Sequence, residues 1–100
     1  MKTEIKEIEG KLFVTLSGEL DTAASTEVEA ALKPLTECEG KDIVIDCTEL
    51  EYIASSGLRI LLGILKKAKA VGSRVVLKNV NDIISDVLKM TGFISIFEFE

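Results

Sequence analysis

Alternation opens the chain. Glu4-Ile5-Lys6-Glu7-Ile8-Glu9 alternates polar and apolar residues, Gly10-Lys11 interrupts it, and Leu12, Val14 and Leu16 then alternate with Phe13, Thr15 and Ser17. A period of two marks half-buried strands, and a Gly-containing break between two of them predicts a β-hairpin. Gly18 ends the second strand. The spacing then lengthens: Val28, Ala31, Leu32 and Leu35 recur as on one side of a helix, which Asp21 or Thr22 can cap. Pro34 should end that helix nearby, because it lacks an N–H and clashes with the preceding turn.

Ile43-Val44-Ile45 is apolar at consecutive positions, the pattern of an interior strand covered on both faces. Asp46-Cys47-Thr48 is expected to leave the sheet, with Glu49 to Ile53 as a connection anchored by Leu50 and Ile53. The second helix is expected from about Ser56 to Ala70, stopped by Gly72-Ser73. At roughly 100° per residue, Leu58, Leu61, Leu62, Leu65 and Ala68 share one face. Ile60, Ile64 and Val71 widen it, leaving a stripe of Arg59, Gly63, Lys66, Lys67 and Ala70. Gly63 and Ala70 lack long side chains, so another chain can come close there. Arg74 to Leu77 is a further strand. Asn79 to Asp82 offers caps for a third helix with Ile83, Ile84, Val87, Leu88 and Met90 as its apolar set. Thr91-Gly92 closes it, and Phe93 to Glu100 is expected as the last strand.

The order β-β-α-β-α-β-α-β predicts an α/β fold: one domain over residues 1–100, a mixed sheet, and helices mainly on one face. Composition narrows the chemistry. Hydrophobic residues make up 47% of 100, enough for one core, while aromatics are only 5%, so aliphatic side chains must fill it. A net charge of -5 argues against nucleic acid and against an anionic membrane surface. With no His, neither a Ser-His-Asp nor a Cys-His site can form within one chain. Cys38 and Cys47 are too few for a zinc cluster and are expected to be free thiols of a cytosolic core. No GxxxxGK[ST] loop is present, no cofactor is expected, and the chain is not expected to be an enzyme. The N-terminus lacks a signal-peptide apolar region, and the longest apolar run, Ile60 to Leu65, is too short to span a bilayer; a cytoplasmic protein is expected.

The candidate chemistry lies at Ile53-Ala54-Ser55-Ser56-Gly57-Leu58, where a strand pattern meets a helix pattern. A helix start leaves about four N–H groups without intrahelical partners and carries partial positive charge. Serine caps such a start, and a phosphate on it is favoured there for the same reason. Bland roles stand beside these: Asp21 as a helix cap, Asp46 as a strand end, and the Arg59–Lys66 stripe as a solvated face.

Gly18-Glu19-Leu20-Asp21, the apolar strand ending in Asp46, Tyr52-Ile53-Ala54-Ser55-Ser56-Gly57-Leu58, and Gly92 before the last segment together resemble the STAS family, in particular its stand-alone bacterial anti-sigma factor antagonists. The resemblance implies that Ser55 is phosphorylated by an anti-sigma factor that is a serine kinase, with ATP held by the kinase. It also implies that a PPM-type phosphatase removes the phosphate, and that the unphosphorylated chain captures the anti-sigma factor and frees the sigma factor. The implied docking surface comprises Asp21 and Thr22, the helix start Ser55, Ser56 and Gly57, and Arg59, Gly63 and Lys66. One position departs from the family: Ala54 stands where Asp usually precedes the acceptor. That methyl favours an alternative, a STAS module that is never phosphorylated and serves as an interaction subunit, for instance in a transporter-associated complex.

Overall fold

The computed structural model describes residues 2–33, 35 and 40–100. Their order is β1 (Lys2–Ile8), β2 (Lys11–Leu20), α1 (Thr22–Leu32), β3 (Ile43–Ile53), α2 (Ser55–Ala70), β4 (Val75–Lys78), α3 (Asp82–Thr91), a 3-10 turn (Phe93–Ser95) and β5 (Glu98–Phe99). The five strands lie in the order β1-β2-β3-β4-β5. β1 and β2 are antiparallel, and the remaining pairs are parallel. Glu9 and Gly10 carry φ of 50° and 77°, the left-handed pair that a two-residue type I′ hairpin turn requires.

Three successive parallel connections advance in one direction across the sheet. Right-handed crossovers then put α1, α2 and α3 on one face. Burial agrees. Val14, Ile45 and Leu77 are cross-strand neighbours and all buried. Their alternates Phe13, Val44 and Val76 are only half-buried, so the other face of the sheet is open. The expectation that the strand at Ile43 to Ile45 is covered on both faces is therefore corrected: Ile43 and Ile45 are buried under the helices, and Val44 lies on the open face.

β3 does not leave the sheet after Asp46. It runs to Ile53, with two shifts in its register against β2: Thr15 faces Asp46 but Ser17 faces Glu49, and Gly18 faces Leu50 but Glu19 faces Tyr52. Asp46 turns back locally, its Oδ1 accepting from the Thr48 N–H at 3.0 Å and from the Thr48 hydroxyl. The polar triplet is thus a bulge, which absorbs extra residues and lets pairing resume.

The boundaries of the first and third helices lie where the pattern put them. Asp21 caps α1, accepting from the Ala24 N–H at 2.8 Å. The helix ends at Leu32; Pro34 itself lies outside the described residues, as does Cys38. Val28, Leu32 and Leu35 are buried, whereas Ala31 is exposed. Asn81 caps α3 through the Ile84 N–H at 2.9 Å, and its Nδ2 donates to Leu50 O at 2.8 Å, pinning the helix to β3. Only Ile84 and Leu88 of that helix are buried; Ile83 and Met90 point outward, 60% and 81% exposed. Val71 is likewise half-exposed at the end of α2. After Gly92, at φ 78°, the chain forms a 3-10 turn in place of a full strand. Phe93 and Ile94 tuck against the core, and β5 keeps two residues. Cys47 is a free thiol, buried at the centre of β3, and burial, aided by the Asp46 charge, pushes its pKa up to about 12.

Candidate functional site

Two helices begin side by side at one end of the sheet. Leu20 and Ile53 are partners at the ends of the parallel strands β2 and β3. The next residue on β3's side, Ala54, donates its N–H to Leu20 O at 2.8 Å. Asp21 follows Leu20 directly, and Ser55 follows Ala54. Parallel neighbours lie about 4.8 Å apart, so the acidic loop and the serine-bearing helix start are close neighbours.

Ala54, and no serine, occupies the cap position of α2. Its backbone is extended, at φ -89° and ψ 169°, and it makes no side-chain cap bond. Ser55 is therefore the first helical residue, one position earlier than the sequence pattern suggested. The Leu58 N–H is satisfied by Ala54 O at 3.0 Å. Among the described residues no side chain caps the amides before it. Ser55 is exposed.

The neighbours of Ser55 differ in kind. Ser56 is half-buried, and its Oγ is shut from solvent with no hydrogen-bond partner. Gly57 is buried, and a Cβ there would meet Leu20 Cγ at 2.6 Å, Leu20 Cδ2 at 2.8 Å and Ile53 Cγ1 at 3.0 Å. Glycine is what allows α2 to sit on the ends of β2 and β3, so Gly57 acts from beneath the surface. Asp21 is half-buried with one oxygen committed to its cap, and Thr22 is exposed, its carbonyl accepting from the Ser25 hydroxyl at 2.8 Å.

Arg59, Gly63 and Lys66 all lie on the exposed side of α2. Gly63 has open space around it: an added Cβ would meet nothing within 4 Å. Beside it a groove of about 400 Å³ runs between α1 and α2, walled by Ser25, Glu29 and Leu32 on one side and by Ser56, Arg59, Gly63 and Lys67 on the other. The groove joins Ser56, Arg59 and Gly63 of the expected surface; Lys66 lies outside its lining. Ser25 and Glu29 escaped the sequence reading, and Lys67 was read in the stripe of α2 but not in the docking surface. Their signal was present, since Ser25, Glu29 and Leu32 follow one another at i, i+4 and i+7 along α1. Among the described residues no cluster of His, Cys, Asp or Glu has the makings of a metal site. No described helix is long and apolar enough to cross a membrane.

Comparisons with known proteins agree with this layout. The STAS domain model matches residues 2–100. A Bordetella bronchiseptica protein named as a candidate anti-sigma factor antagonist, BtrV, is 32% identical over 97% of this chain and 84% of its own. The anti-sigma-B factor antagonist of Listeria monocytogenes is 31% identical over 97% of this chain and 86% of its own. Among solved structures, the Bacillus cell fate determinant SpoIIAA in its phosphorylated form superposes with a TM-score of 0.74, at 21% identity, over 99% of this chain and 91% of that one. The one-sided mixed sheet of this chain is thus a known fold, and this chain belongs to the STAS domain family.

Proposed function

We propose that this protein is an anti-sigma factor antagonist: it captures an anti-sigma factor serine kinase, releases the sigma factor, and is switched off when Ser55 is phosphorylated. The supporting observation is the position of Ser55, exposed at the first residue of α2 and next to Asp21. The captured kinase docks on Asp21 and Thr22, the Ser55–Ser56 helix start above buried Gly57, and the Arg59, Gly63 and Lys66 side of α2. A PPM-type phosphatase restores the active form.

The switch follows from charge. A neutral hydroxyl fits a close, partly dry contact, whereas a phosphate adds about -1.5 to -2 charge. Burying that charge without a cation costs several kcal/mol, and a micromolar complex holds only about 8 kcal/mol in total. Asp21 adds repulsion from the neighbouring loop. The open amides of the first turn favour the phosphate in the free protein, so the fold tolerates what the interface rejects.

Titration calorimetry against the cognate anti-sigma factor tests this reading. Ser55→Ala should bind like the unmodified chain, and Ser55→Asp at least about tenfold more weakly, a loss of roughly 1.4 kcal/mol. Equal affinities would remove the switch. Ala54 favours a second reading, a STAS interaction subunit that is not phosphorylated, because it leaves no carboxylate at the position directly before the acceptor. Intact mass after incubation with kinase and ATP separates the two: a gain of one phosphate that Ser55→Ala abolishes, or no gain.

A further inference from the structure

β1 is the outermost strand of the sheet, and among the described residues nothing pairs with its outer edge. Which of its backbone groups face outward follows from the hairpin. A two-residue loop closes on a hydrogen-bonded pair, here Ile8 with Lys11, and such pairs alternate along an antiparallel ladder. Lys6, Glu4 and Lys2 therefore turn their backbone groups toward β2, and Thr3, Ile5 and Glu7 turn theirs away. The other side of β2 agrees: Leu12, offset by one from Lys11, sends its N–H the opposite way, to Asp42 O at 2.9 Å.

We infer that this edge pairs with the β1 edge of a second copy of the chain, antiparallel, about a two-fold axis through Ile5. In that register Ile5 faces Ile5 and Thr3 faces Glu7 of the other copy, so every outward backbone group meets a partner. Glu4 of each copy then stands opposite Lys6 of the other. The two Ile5 side chains, each half-buried and packed on its own core, become neighbours. Both adjacent registers that keep the outward groups paired fail on charge. One sets Glu4 against Glu4 and Lys2 against Lys6; the other sets Lys6 against Lys6. Alternating charge on an edge strand ordinarily discourages pairing. Here the same charges discourage all but one register, and that register is self-complementary. The product is a continuous ten-stranded sheet with its helices on one face, and it leaves the Ser55 end of α2 outside the contact between the two β1 strands.

Sedimentation velocity over a concentration series of the full chain tests this. A monomer–dimer equilibrium is expected. Glu4→Lys alone and Lys6→Glu alone should each weaken it by about tenfold or more, since each sets two like-charge pairs across the axis. Mixing those two variants should restore association, because a Glu4→Lys chain and a Lys6→Glu chain present opposite charges to each other. Of the backbone donors, Ile5→Pro removes only an outward N–H, a change tolerated on an edge; with some loss of packing from the Ile5 side chain, it should abolish the dimer while the helical circular dichroism persists. A chain that stays monomeric at every concentration overturns the inference. So does a dimer indifferent to Glu4→Lys and Lys6→Glu, or a mixture no more associated than its parts.

Discussion

Two glycines of α2 sit in opposite surroundings, and their substitutions should move stability in opposite directions. At Gly57 an alanine methyl meets Leu20 within 2.8 Å, in a corner already closed by Ile53. The helix must lift or Leu20 must leave its rotamer, at a cost of about 1–3 kcal/mol. At Gly63 the added methyl meets nothing, and the only change is a better helix former, worth up to about 1 kcal/mol. Urea unfolding of Gly57→Ala and Gly63→Ala should therefore bracket the parent midpoint. Asp46 carries a prediction in pH. Hydrogen bonding from Thr48, with Asn79 and Lys78 assisting, holds its carboxyl below the ordinary 3.8 despite some desolvation. A depressed folded-state value means stability that is present above the ordinary value and lost as pH falls through the lower one. The stability gap between the parent and Asp46→Asn should thus narrow as the pH falls below the ordinary 3.8. A gap that widens on acidification would contradict the assigned sign. That Ser55 and Gly57 sit at a helix start and that Asp21 can cap the helix beside it was legible in the bare sequence, because both patterns are local. That Ser56 Oγ is sealed and Gly57 lies underneath was not legible, since both depend on where α2 lands on β2 and β3.

At the scale of elements, α2 was the most readable. A long aliphatic face and one polar stripe leave a helix a single orientation, and Leu58, Leu61, Leu65 and Ala68 are buried as that pattern requires. β3 and the C-terminal segment were the least readable, each for its own reason. Asp46-Cys47-Thr48 has the composition of a strand exit, but a bulge needs the same residues, and only the partner strand decides between them. Phe93 to Phe99 has the composition of a strand; a left-handed Gly92 reverses the chain so sharply that its first residues fold onto α3 before any pairing begins. Asn81 holds two elements at once, capping α3 and gripping Leu50 of β3. Asn81→Ala removes both bonds, one of them to a part-buried carbonyl of β3. It should lower stability by about 1–3 kcal/mol, more than loss of a cap alone. Hydrogen exchange should locate the loosening in α3 and the second half of β3.

Across the whole molecule, the mixed sheet with its helices on one face followed from the order of elements, and right-handed βαβ units that keep their helices on one face build outward in one direction, as the strand order here does. What the pattern could not supply was the groove, which belongs to two helices remote in sequence. The sheet's central thiol was expected as a free cysteine of the core, and its depth has a practical consequence. Cys47 is 1% exposed, and its proton is held until a pH near 12, so the thiolate that reacts with alkylating reagents is almost absent in the closed molecule. In a Cys38→Ser chain, modification of the remaining thiol should be as slow as the breathing of the interior itself. Its rate, followed by mass, should fall as ligands or partners tighten the fold and rise with Gly57→Ala. The chain thereby carries its own gauge of how often β3 parts from its neighbours, with no label attached beforehand.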